Sequence, residues 1–98
     1  MPILDLDAAK SAIREILQSP RGLVFPTRHC KERMEQRNVQ MDDILHLLFW
    51  GSVERGQESG NAERNVFRVS DADIEGEPLV VVVEVILEEN RLNCISVF

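Results

Sequence analysis

The chain has 98 residues, 44% of them hydrophobic and 29% charged, which is the composition of one small folded domain rather than a disordered segment. Eleven basic residues against 17 acidic ones leave a net charge of −6, which excludes a protein that coats nucleic acid with its whole surface. No apolar run approaches the roughly 20 residues of a membrane span, and the start, Met-Pro-Ile-Leu-Asp-Leu-Asp, has no basic leader followed by a long apolar stretch.

The first helix is expected from Asp5 or Asp7, either able to cap free amides, to about Gln18. Ala9, Ala12, Ile13, Ile16 and Leu17 recur at helical spacing and form its core-facing stripe. Ser19-Pro20-Arg21-Gly22 ends it, and Leu23-Val24-Phe25 reads as a short extended segment before Pro26. Thr27 suits the cap of a second helix, Arg28–Arg37, which Asn38 closes in the left-handed conformation. A third helix runs from Met41 to about Trp50, with Met41, Ile44, Leu45 and Leu48 as its buried face and Gly51 as its end.

The second half is different in character. Val53-Glu54-Arg55 reads as a short strand, and 57–64 as a polar, mobile loop. Segments 65–70, 79–87 and 92–98 are rich in Val, Ile and Phe and predict strands, joined by turns over 71–78 and 88–91. Leu79–Leu87 is apolar at both parities, the pattern of a central strand with helices on one side. The expected fold is α+β in two layers, with short N-terminal helices packed on an antiparallel sheet of three to five strands over a single domain, 1–98.

The distinctive feature lies on the second helix. Residues four apart on a helix are offset by only about 40°, so His29, Arg33 and Arg37 follow one flank, beside the apolar Cys30 and Met34. Two guanidinium groups suit a phosphodiester, and an imidazole can move a proton near neutral pH. Lys31 adds to the basic character of segment 27–37, and Arg64 and Arg68 extend it if their strand lies nearby. The opposing reading makes the stripe a brace, its cations paired with carboxylates such as Glu84. Segment 71–90 concentrates seven acidic residues and no basic one.

Other constellations are weaker. Asp42 and His46 stand four apart, and Trp50, on the polar side of the third helix, suggests a contact surface. Cys30 and Cys94 read as buried free thiols rather than a disulfide framework, which fits a cytoplasmic location. His29, Cys30, His46 and Cys94 lack metal-ligand spacing, and no phosphate loop, dinucleotide fingerprint or serine elbow is present, so no metal or cofactor is expected.

Phe25–Gly51, with its His, then Arg-Met, then Arg, followed by a short helix ending in Gly, resembles the bacterial domain-of-unknown-function family 4258. The later Val-Phe-Arg-Val, Leu-Val-Val-Val and Ile-Ser-Val-Phe segments fit its second half. That family is similar to the RelE/BrnT type of toxin, small α+β proteins of which many cleave messenger RNA without metal. The resemblance implies a metal-independent ribonuclease with His29, Arg33 and Arg37 as its catalytic group, and RNA or an antitoxin-like protein as partner. The chain departs from such toxins in having no tyrosine. The competing expectations are a protein-interaction module using the acidic segment, Trp50 or a strand edge, self-association as a homodimer included, and an enzyme acting on a small phosphorylated molecule.

Overall fold

The Asp5 carboxylate accepts the Ala8 amide at 2.7 Å and starts α1, Leu6–Gln18, whose Ala9, Ala12, Ile13 and Ile16 are buried. The computed structural model describes residues 3–56, 64–72 and 78–98. After α1 the chain turns through Gly22, where a methyl group would overlap the Ile16 carbonyl oxygen. That close approach sends the chain directly into β1, Leu23–Pro26. Helices α2, Arg28–Arg37, and α3, Met41–Trp50, follow, separated by Asn38 at φ 53° with its amide on the Glu35 and Met34 carbonyls. Asn tolerates this left-handed position better than most residues.

Four further strands complete the sheet: β2, Ser52–Arg55; β3, Val66–Ala72; β4, Pro78–Ile86; and β5, Arg91–Val97. A short 3-10 turn, Leu87–Glu89, and Asn90 at φ 51° join the last two. The strand order is β1-β5-β4-β3-β2. The expected α+β layout is present, and β2 to β5 pair antiparallel as the short connections require. The refinement is β1: the segment before Pro26 joins the sheet as a parallel edge strand beside β5, making the sheet mixed. Most of the expected 57–64 loop and 71–78 turn lies outside the described residues.

The helices cover one face, where Phe67, Val69, Val81, Val83, Val85, Leu92, Cys94 and Val97 meet Ala9, Ile13, Ile16, Cys30, Ile44, Leu47 and Leu48. On α3, Leu47 is fully buried whereas Leu45 and Met41 are only half-buried, which corrects the expected face by part of a turn. The helix leans toward β3 and α1, so its 44–47–48 edge meets the sheet. The opposite face carries Val66, Arg68, Val80, Val82 and Glu84, in register with Asn93 and Ser96 of β5.

Alternation along β5 breaks once. Val82 faces Ser96, but Val83 faces Cys94, so Ile95 is an extra residue in a β-bulge. Leu92 and Cys94 precede the bulge on the helix-covered face, and Val97 follows it on that face. Ser96 and Phe98 are thereby turned to the opposite face, Phe98 exchanging both backbone hydrogen bonds with Val80 at 2.8 and 2.9 Å.

Candidate functional site

β1 pairs with β5 only as far as Cys94, so the last residues of β5 have a free outer edge. α2 takes the place of the missing strand. The Thr27 amide donates to the Cys94 carbonyl at 2.9 Å, and its hydroxyl donates to the Ile95 carbonyl at 3.0 Å while accepting the Cys30 amide at 3.1 Å. Arg33 Nε then donates to the Val97 carbonyl at 3.3 Å. The helix thus satisfies edge acceptors that would otherwise be left bare at the bulge.

The basic row winds as helical geometry dictates. Each four-residue step advances about 6 Å and rotates the row about 40° toward the face that Cys30 points into the core. His29 is accordingly exposed, Arg33 is half-buried and bonded to β5, and Arg37 reaches the end of the sheet. There it lines a shallow recess of about 480 Å³ with Pro78, Val80 and Phe98. Arg68 enters the same neighbourhood from β3, its Cζ 5.1 Å from the centre of the Phe98 ring. No carboxylate lies within ion-pair distance of His29, Arg33 or Arg37 among the described residues.

The remaining expected residues separate. Lys31 is exposed and lies about 100° from Cys30 on the side away from His29, so it does not share the row. Arg64 is committed elsewhere: Nε and Nη2 donate to both Glu84 oxygens at 3.0 and 2.9 Å, a fork that raises its pKa through hydrogen bonding and charge. Glu84, the carboxylate expected to brace the stripe, is therefore the partner of Arg64 on the other sheet face. Asp42 and His46 are both exposed, with no hydrogen bond or ion pair between them. Trp50 is 61% exposed, edge-on to Phe49 at 4.8 Å and beside Arg14.

Phe98 is the residue that sequence reasoning missed. Regular alternation from Leu92 places it in the core; the bulge at Ile95 reverses that, and a bulge leaves no local signature in this strand. The two thiols are inert by comparison. Both are buried, and burial raises the pKa of Cys30 and, together with the nearby Cys30, pushes that of Cys94 up to about 12. Among the described residues no group of three or more His, Cys, Asp and Glu side chains could hold a metal ion. No helix there is long and apolar enough to cross a membrane.

What the row can do chemically is hold an anion with several oxygens. Among the described residues, Arg33 spends only its Nε on the protein and Arg37 makes no hydrogen bond or ion pair. The row thus offers one guanidinium anchored to the sheet and a second that lines an apolar recess.

No curated protein and no solved structure matches the chain. The sequence model of one family matches residues 27–93, a span that opens on the Thr27 cap and takes in the row on α2, both central strands and the start of β5. The chain belongs to that family, described as a domain of unknown function (DUF4258).

Proposed function

We propose that this protein binds RNA through its phosphate backbone, with Arg33 and Arg37 as the principal contacts and Arg68 beside them. The observation that supports the reading is that, among the described residues, no carboxylate partners Arg33 or Arg37, while Glu84 is taken by Arg64. Structural arginines at a core border ordinarily find an acid; among the described residues these two do not. His29, one turn before Arg33, is the candidate general acid or base if the bound RNA is also cut.

Fluorescence anisotropy with a labelled single-stranded RNA tests this. Arg37→Ala should weaken binding about tenfold, the loss of one charge-assisted phosphate contact, with Tm unchanged because the side chain is exposed. Arg33→Ala should lower both affinity and Tm, since the Val97 carbonyl loses its donor. Wild-type protein that fails to bind RNA at low salt overturns the proposal. Incubating labelled RNA with the protein and a chelator reads cleavage separately: His29→Ala should abolish it while leaving affinity within a few-fold.

A second reading, a protein-docking module, is favoured by one observation, the 61% exposure of Trp50 beside Phe49 and Arg14. It covers an antitoxin-like partner or a second copy of the chain. Sedimentation of wild type against Trp50→Ala distinguishes it: concentration-dependent dimerisation lost in the variant supports a homodimer.

A further inference from the structure

We infer that the Phe98 ring is a base-stacking subsite, so that the ligand of this site is single-stranded RNA, one nucleobase lying on Phe98 while its phosphate meets Arg37. The inference rests on the phosphate-binding reading and specifies which nucleic acid fits. Its own observation is the make-up of the recess: Pro78, Val80 and the Phe98 ring supply apolar surface, and Arg37 supplies a cation on the same recess. A site for a bare anion has no use for that apolar floor, whereas a nucleotide needs both parts side by side. At about 480 Å³ the recess has room for one nucleotide unit.

The ring is held for the purpose. Its backbone is pinned by the two hydrogen bonds to Val80, and Arg68, with Cζ 5.1 Å from the ring centre, stacks on the aromatic system. In register, Arg68 stands opposite Glu54 on β2 and Val82 on β4. A base presented by a duplex is already stacked on its neighbours and cannot reach such a surface; an unpaired base can. Arg37 lines the recess, and Arg33 is bonded to the carbonyl of Val97, the residue before Phe98, so two cations stand near the ring for an incoming strand.

The test uses the full chain with Phe98→Trp in a Trp50→Phe background, so that the only indole reports on the recess. The probes are a short single-stranded RNA, the same sequence as a duplex, and inorganic polyphosphate. The single strand should quench the indole at position 98, polyphosphate should not, and the duplex should bind more weakly than the single strand. In the otherwise native chain, Phe98→Leu should keep Tm near wild type but lower affinity for single-stranded RNA about tenfold, leaving polyphosphate binding unchanged. Equal losses for RNA and polyphosphate, or no quenching by bound RNA, overturn the stacking subsite while leaving the phosphate-binding reading in place. Failure of all three probes to bind overturns both.

Discussion

Cys94 is 0% exposed and lies beside the equally buried Cys30, where a thiolate has no water and no cation to stabilise it. Folding therefore favours the neutral thiol, and the sign of the linkage follows. The stabilisation is complete below the ordinary thiol value of 9.0 and is lost as the pH climbs toward about 12. Over that window it amounts to a loss of up to about 4 kcal/mol. Urea unfolding across pH 8 to 11 (about the accessible part of the window) should show the wild type losing stability more steeply than Cys94→Ala. Parallel curves would show that the thiol does not govern alkaline unfolding. At the same scale, the thiols were legible in the sequence as buried, since a free cysteine behaves as a small apolar residue. The Arg64–Glu84 pair was not, because the two lie 20 residues apart and meet only through the register of β3 on β4.

At the scale of elements, α2 is a short helix with a single fully buried side chain, Cys30, and it depends on its attachment to β5. Thr27 makes that attachment with two hydrogen bonds to β5, on the Cys94 and Ile95 carbonyls, while its hydroxyl also caps the helix by accepting the Cys30 amide. Thr27→Val keeps the shape but removes the hydroxyl, leaving the Cys30 amide uncapped and the Ile95 carbonyl without its donor. Stability should fall by about 1–2 kcal/mol in thermal or urea unfolding. Amide exchange should quicken first across α2, and uniform exchange across the chain would contradict this attachment. Helix boundaries were readable from caps and periodicity: Asp5, Thr27, Asn38 and Gly51 all stand where expected. Local chemistry sets those boundaries, whereas the inward face of α3 depends on where its neighbours lie, so Leu47 rather than Leu45 is buried.

For the molecule as a whole, the net charge of −6 repels a polyanion at long range, so the proposed RNA binding would depend on short-range contacts at one end of the sheet. On that proposal, the two phosphate contacts of Arg33 and Arg37 to a single strand give a slope of log K on log salt of about −1.4, or a fall of about sevenfold in affinity between about 50 and 200 mM salt. Anisotropy titrations measure this directly. A slope near zero would remove the electrostatic contact altogether, and Arg37→Ala should make the slope shallower by about 0.7.

The sequence by itself determined the helices, their caps, the apolar central strand, the α+β order of elements and the basic row, because each is written in short-range patterns of a few residues. It also determined that His29, Arg33 and Arg37 follow one flank, since helical pitch alone requires it. Only the tertiary structure decided what the row faces. β1 falls short of the end of β5, which leaves carbonyls for α2 to satisfy, and Arg33 takes one of them. The bulge at Ile95 shifts the strand by one residue and brings Phe98 out of the core to the recess beside Arg37. A one-residue shift reverses every later side chain on a strand, and it is set by pairing between segments distant in the chain rather than by the residues on either side.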